Sequence, residues 1–493
     1  MQEFPWLKHY PAGIPKTINP DKYSSLVELF EEVFNKYGNQ IAFQNMGKSI
    51  TYNELNKESA QFAAYLQNVL NLKKGDRIAI QLPNLLQYPI ALFGALRAGL
   101  VVVNTNPLYT AREMEHQFKD SGVETIVILA NFAHNLEKIL ANTAIKHIII
   151  TEIGDRLGTV KSFIVNMVVK HVKKMVPSYK LPKTISFNDV LTKGKALTYK
   201  KPDLKNKDSA FLQYTGGTTG LSKGAILTHR NMVANMEQMS AWMKPKLRDR
   251  EEIVITALPL YHIFALTVNC LAMLKIGANN VLITNPRDFT AFIKELKNHR
   301  FSVITGVNTL FNALLNQQEF LNIDFSSLKV AAGGGMAIQK VVALKWQEVT
   351  GIPITEGYGL TETAPVLSSN AIDGTERLGT IGVPLPSTEL VVMDDEGNIL
   401  PVGEIGEICA KGPQIMPGYY NKPEETEKVF FNEWFKTGDI GVMNEDGFFS
   451  IVDRKKDMIN VSGFNVYPNE IEDVLAAHPK VLEVAAIGVP DER

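Results

Sequence analysis

Residues 214–225 read Tyr214-Thr215-Gly216-Gly217-Thr218-Thr219-Gly220-Leu221-Ser222-Lys223-Gly224-Ala225. Glycines let a backbone curl until several of its N–H groups point at one anion. The hydroxyls of Thr215, Thr218 and Thr219 add donors, and Lys223 adds a fixed positive charge. Together these groups are equipped to hold a polyphosphate. The run is not the GxxxxGK[ST] loop of the common nucleotide hydrolases, because Lys223 follows Ser222 and precedes Gly224. A plain flexible turn would need neither the three threonines nor the lysine.

Such a loop must be carried by a rigid element. The apolar stretch 210–214 leads straight into it and reads as a buried strand. Upstream, from about residue 75, RIAIQL, VVVN, TIVILA and HIIIT alternate with helix-length segments, one of which, 85–98, is stopped by Gly99. Downstream the pattern resumes with IVITALPL, NVLIT, SVITGV and 328–332, and with a helix expected over 289–300. Buried strands alternating with helices predict βαβ units and mostly parallel sheets. After about residue 379 the character changes. The runs 388–393 and 405–411 are joined by the turn-forming 394–398, and 445–447 form a second turn between Val442 and 448–452. Both predict antiparallel hairpins. The expected fold class is α/β. A large composite N-terminal domain over 1–455, two α/β subdomains plus a β-rich one, precedes a small α+β C-terminal domain over 456–493.

Composition narrows the function class. At roughly 150 residues per domain, 493 residues suggest about three domains. Lys plus Arg number 51 against 52 Asp plus Glu, a net charge of −1 that argues against a nucleic-acid binder. With 45% hydrophobic and 21% charged residues, general disorder is excluded. Cys270 and Cys409 lie far apart, so neither a disulfide framework nor a cysteine-rich zinc site is expected, which fits a reducing cytoplasm. The start of the chain lacks the pattern of a secretory signal. The most apolar window, 90–103, contains Arg97 and is shorter than the roughly 20 residues a membrane span needs.

The run YTGGTTGLSKGAILTH resembles the phosphate loop of the adenylate-forming acyl-CoA synthetases. ALPLYHIF (257–264), AAGGGM (331–336), EGYGLTETAP (356–365), WFKTGDIG (434–441) and IVDRKKDMINVSGFNVYPNEIEDV (451–474) follow in the order that family shows. The likeness runs essentially end to end. It is strongest to the bacterial long-chain fatty-acid–CoA ligases, through INPDKYSSLVELF, NPRDF and GVNTLFNALL. It implies a two-step reaction. A fatty-acid carboxylate attacks the α-phosphate of ATP and releases pyrophosphate, and the thiol of coenzyme A then takes the acyl group and releases AMP. An anion attacking an anion needs positive charge and alignment at the site.

The resemblance also implies roles. Thr218 and Lys223 serve the phosphates, Thr361 contacts the α-phosphate, and Glu362 binds Mg²⁺, an ion that prefers few carboxylates plus phosphate oxygens. Tyr358 faces adenine, with Gly357 and Gly359 allowing close backbone approach and Gly334 and Gly335 along the adenine edge. Asp439 suits two ribose hydroxyls, and Arg454 lies near the ribose and phosphates. Lys456 is the hinge about which the C-terminal domain rotates, and Gly463 lines the pantetheine channel. His262 is open to three roles, as general base, coenzyme-A gate or packed core histidine; an acid already ionised needs no base. The apolar stretches 263–274 and 304–315 either line an acyl tunnel or form core helices.

Two features fall outside the motifs. Segment 161–176 places Ile164, Val165, Val168, Val169, Val172, Met175 and Val176 on one helical face, with Lys170, Lys173 and Lys174 opposite. It is either an ordinary surface helix or a peripheral contact with the anionic inner membrane surface. Beyond the hinge, the chain holds a helix-like 468–477 and a strand-like 481–489, then stops before the position where the family carries an adenylation lysine. The expectation is a long-chain fatty-acid–CoA ligase with a truncated C-terminal domain and weakened adenylation. The alternatives are a medium-chain or aryl acid ligase, or an impaired ATP- and acyl-binding protein.

Overall fold

The computed structural model describes residues 4–215, 221–461, 464–476, 478, 481 and 484–489. The first sheet has seven strands, in the order Thr184–Ser186, His147–Thr151, Thr125–Leu129, Arg77–Gln81, Val101–Asn104, Ser209–Tyr214 and Gly224–Thr228. Neighbours are parallel except the last two, which form an antiparallel hairpin around the glycine-threonine loop. Ile78, Ile80, Val102, Ile126 and Ile128 are fully buried, as strands covered by helices on both faces require. Capping boxes start two of those helices: Thr51 with Glu54 at Tyr52–Asn68, and Thr110 with Glu113 at Ala111–Ser121.

The second sheet has nine strands, in the order Val383–Pro384, Val366–Ser369, Ile354–Gly359, Val330–Gly333, Val303–Gly306, Ile253–Thr256, Asn279–Leu282, Ile41–Asn45 and Lys48–Thr51. Its centre is parallel and its two ends are antiparallel. The last two strands come from the N-terminal region and cross over, a pairing that local pattern did not reveal. Both expected hairpins form the third, antiparallel sheet: Glu389–Met393 on Ile405–Lys411, and Trp434–Met443 on Phe449–Arg454. A short hairpin, Ile459–Val461 with Phe464–Val466, and the helix Pro468–Ala476 follow.

Three expectations need correction. Stretch 304–315 is not one helix: Val303–Gly306 is a central strand, and only Asn308–Leu315 is helical, with Phe311 packed on Trp346. Described residues within 481–489 form no strand; the Ala486 N–H donates to Glu472 Oε1 at 2.8 Å instead of to a sheet edge. In 161–176 the regular helix ends at Met167 and widens over Val168–Val172. Its apolar residues divide between two directions. Val165 and Val169 face a cavity with Ile153, Leu282 and Phe292, whereas Phe163, Ile164, Met167, Val172 and Met175 are exposed.

The two large sheets meet along a seam of buried amides. Asn84 Nδ2 donates to the Thr256 and Leu258 carbonyls, both at 2.9 Å, while Asn84 Oδ1 accepts from Leu260 N–H at 2.8 Å. The Tyr88 hydroxyl lies 2.8 Å from both the Leu260 carbonyl and Asn104 Oδ1. Asn104 Nδ2 donates to Gln213 Oε1, and Gln213 Nε2 donates to the Tyr261 carbonyl at 2.8 Å. All four side chains belong to the first sheet's subdomain, and their second-subdomain backbone partners lie in the segment that ends at His262. Asn84→Ala would leave the Leu258 carbonyl and the Leu260 N–H of this seam unpaired, while the Thr256 carbonyl keeps the Ile283 N–H. It is expected to lower unfolding free energy by about 3 kcal/mol, measured by urea denaturation.

Candidate active site

Gly216, Gly217, Thr218, Thr219, Gly220 and Gly463 lie outside the described residues. The base of the loop is firmly held. The Thr215 N–H donates to the Lys223 carbonyl at 3.1 Å. Tyr214, opposite Gly224 in the hairpin, donates its hydroxyl to Asp120 Oδ2 at 2.7 Å. Burial and the neighbouring carboxylate push the Tyr214 pKa far up, so it stays a donor. A side chain at Gly224 would press on the Tyr214 ring at 3.1 Å. Leu221 is exposed, and the Ser222 carbonyl lies 2.8 Å from His116 Nε2. Ala225 is fully buried and bridges to Tyr419.

Lys223 leaves this base toward a second element. Its Nζ lies 2.7 Å from Glu425 Oε2 and 4.8 Å from the centre of the Tyr419 ring. The Tyr419 hydroxyl donates to Glu362 Oε1 at 2.6 Å, and the Met416 N–H donates to the Glu362 carbonyl at 2.8 Å. Glu362, in the short turn Thr361–Thr363, is thus a buried carboxylate oriented from outside its own motif. One buried carboxylate, joined to a lysine through Tyr419, suits an ion that takes its other ligands from phosphates.

Behind this turn, the Tyr358 hydroxyl donates to Asp439 Oδ2 at 2.5 Å, and Arg454 Nε lies 3.2 Å from Asp439 Oδ1. Asp439 and Arg454 are direct cross-strand partners. Burial raises the Asp439 pKa above the usual carboxylate value, against the pull of Arg454. Lys456 is exposed in the turn that follows, and its charge also reaches Asp439. Next to it, Lys455 is fixed by Asp395 at 2.6 Å and Glu407 at 3.0 Å.

His262, Ile263, Phe264, Val268, Gly334, Gly335, Gly357, Tyr358, Gly359 and Thr361 line one cavity of about 80 Å³. The stretch 263–274 therefore contributes to the lining, whereas 304–315 does not. His262 reaches the cleft, but the surrounding protein lowers its pKa, and its Nδ1 accepts from the Phe264 N–H at 3.4 Å. Two of these glycines meet different surroundings within the chain. At Gly359 a Cβ would collide with the Pro365 carbonyl, so the chain itself requires glycine there. At Gly357, which lines the cavity, the nearest atom of the chain to a Cβ would be 3.7 Å away.

The structure brings Tyr358, Asp439 and Arg454 into direct contact, and joins Lys223 to Glu362 through Tyr419. It gives no direct contact between His262 and these charges. Sequence reasoning missed His116, Asp120, Tyr419 and Glu425. Pro423 at the start of the helix Pro423–Lys428 marks an element there, but nothing local pairs Glu425 with Lys223, 202 residues away.

A family model for AMP-binding enzymes matches residues 30–420. The chain is 58% identical to a long-chain-fatty-acid–CoA ligase of Escherichia coli O6:H1, over 98% of this chain and 86% of that protein. It is 52% identical to a long-chain-fatty-acid–CoA ligase of Haemophilus influenzae, over 98% and 87%. Among solved structures, the anthranilate CoA ligase AuaEII with anthranoyl-AMP superposes with a TM-score of 0.84 at 24% identity, covering 96% of this chain and 86% of that one. This last likeness confirms the α/β fold class.

Tyr358→Phe keeps the ring and removes the donor to Asp439. The variant is expected to lose about 1–2 kcal/mol of stability at pH 7. The loss should shrink as pH falls through the raised Asp439 pKa, since the protonated carboxyl no longer leaves a buried charge short of a donor. Urea denaturation of both proteins across pH measures it.

Proposed function

The chain belongs to the family of AMP-binding, adenylate-forming enzymes, and from that premise we propose that it joins long-chain fatty acids to coenzyme A at the expense of ATP. One acid oxygen attacks the α-phosphorus, the bond to the β-phosphate oxygen breaks, and pyrophosphate leaves. The coenzyme A sulfur then attacks the acyl carbon, AMP leaves, and the thiol proton is released. The observation that carries this reading is the direct contact of Tyr358, Asp439 and Arg454, together with the joining of Glu362 to Lys223 through Tyr419.

In this reading Asp439 holds the ribose hydroxyls, Tyr358 packs on adenine, Arg454 bridges ribose and phosphate, and Thr361 meets the α-phosphate. Lys223, with Thr218 and the rest of the loop, holds the β- and γ-phosphates. Glu362 would hold Mg²⁺, which supplies charge neutralisation when bound. The lowered pKa of His262 supports a positioning role as neutral imidazole rather than a charged one. Residues 1–455 form the body and 456–493 belong to the moving unit. Lys456 serves as pivot directly beside the anchored Lys455, and Gly463 approaches the thiol channel.

The acid is assigned as long-chain from the substrates named for the relatives at 52–58% identity. The apolar wall of Ile263, Phe264 and Val268 supports it, since each buried CH₂ contributes about 0.8 kcal/mol. This wall faces, across the same cavity, Tyr358, Gly334 and Gly335, the residues that this reading gives to adenine. ATP–pyrophosphate exchange is expected to run faster with palmitate than with octanoate or a cinnamate-type acid. Lys223→Ala or Glu362→Gln should reduce it by about 10²–10³-fold. The reverse order of acids would move the assignment to a medium-chain or aryl ligase. ATP binding without exchange for any acid would leave a nucleotide-binding protein.

A peripheral membrane contact is also proposed, carried by the outward set Val160, Phe163, Ile164, Met167, Val172 and Met175 beside exposed Lys170, Lys173 and Lys174. Among the described residues no helix is long and apolar enough to cross a membrane. An amphipathic segment flanked by lysines instead suits the surface of an anionic bilayer. Co-sedimentation with phosphatidylglycerol vesicles should fall when the three lysines are changed to Glu; equal binding would remove the contact.

A further inference from the structure

We propose that Glu425 is an internal counter-ion for Lys223, holding its ammonium when no nucleotide is bound and yielding it to the polyphosphate of incoming ATP. The inference rests on the reading of Lys223 as a phosphate-binding cation. It goes beyond that reading by assigning a residue that tunes how tightly polyphosphate is held.

The pairing is built into the fold. Glu425 sits in the helix Pro423–Lys428, and the Thr426 hydroxyl of that helix accepts from the Tyr419 N–H at 2.9 Å. On either side of Tyr419, the Gly418 carbonyl accepts from Ile226 N–H at 3.0 Å and Tyr420 N–H donates to the Gly224 carbonyl at 2.8 Å. Helix and hairpin are therefore pinned to each other next to Lys223, and the Glu425 carboxylate is delivered to its Nζ at 2.7 Å. This is not a chance meeting of two free surface side chains.

The pair is also easy to open. The side chains are 31% and 34% exposed, so the pair gives up little desolvated Coulomb energy when separated. Neither partner is stranded afterwards. Glu425 keeps Lys428, whose Nζ lies 2.5 Å from Oε1, and Lys223 keeps the face of Tyr419. Lys223 and Lys428 hold the Glu425 pKa down to about 2, so the carboxylate is charged at every working pH. As pyrophosphate leaves, the same carboxylate takes Lys223 back, which opposes retention of the product.

The test is calorimetric titration of inorganic pyrophosphate, and separately of ATP, each with Mg²⁺, into the full chain. Wild type, Glu425→Gln, Lys223→Ala and the double variant complete a cycle. Glu425→Gln is expected to bind pyrophosphate about two- to fivefold more tightly, with the gain shrinking at high salt. In the Lys223→Ala background the Glu425 change should have no effect. Weaker or unchanged binding in Glu425→Gln would overturn the proposal, as would an equal gain without Lys223, which would mark a general field effect. Should Glu425→Gln fail to fold, Glu425→Asp, whose carboxylate is one methylene shorter, carries the same expectation at smaller size. If Lys223→Ala leaves pyrophosphate binding intact, the phosphate role of Lys223 fails instead, a result distinct from all of these.

Discussion

Everything at the cleft depends on how the backbone from Thr256 to His262 is held. This segment leaves a central strand of the second sheet and would expose unpaired carbonyls and N–H groups at a buried junction. Asn84, Tyr88 and Gln213 of the first subdomain satisfy them from the other side. Buried amides are costly when unpaired and geometrically demanding when paired. The same bonds that make the seam tolerable therefore fix the two large sheets in one relation. Gln213 precedes Tyr214, the residue that anchors the glycine-threonine loop. Loop position and cleft wall are thus set by one continuous network.

The charged groups divide by how far each is removed from water. Asp439 is 3% exposed and needs both Tyr358 and Arg454 to remain there as an anion. Strand register supplies Arg454, because the two residues stand opposite in the third sheet. Glu362 is buried, and among the described residues its carboxylate accepts from Tyr419, a neutral donor that aligns it without neutralising it. Lys223 and Glu425 lie at the rim, where ion pairs form and break at little cost. Buried charges here are fixed and rim charges exchangeable, an arrangement suited to a cleft that must both align a nucleotide and release its products.

Much of this was legible locally. Strands such as 101–104 and 125–129 are apolar on both faces, and the hairpins after residue 379 follow from their turns. The glycine-threonine loop declares its chemistry because donors and cation are contiguous. What escaped was non-local. The strands Ile41–Asn45 and Lys48–Thr51 join a sheet whose other strands begin at residue 253. Tyr419 and Glu425 act on residues 57 and 202 positions away. Stretch 304–315 misled for another reason: a mostly apolar run suits a buried strand and a buried helix equally, and Gly306 is the one residue that marks the break between them. In 161–176, helical spacing located the apolar residues but not the neighbours that divide them between cavity and solvent.

The two halves of the proposed substrate site meet different physical demands. Electrostatic stabilisation is effective only when the dipoles and charges already stand where the reaction needs them, since reorienting them during the reaction would cost what they contribute. The polar side conforms to this: Tyr358, Asp439, Arg454 and Glu362 are each held by a bond from a different element. Hydrophobic burial is non-directional and depends on area, so an apolar channel can form as the ligand enters. Ile263, Phe264 and Val268 lie on or beside the widened helix Ala265–Ala272, an irregularity frequent at functional sites. An apolar wall facing fixed polar groups across one cavity therefore suits a single enzyme site. The nucleotide finds its partners in place, while the acyl chain is rewarded according to its length.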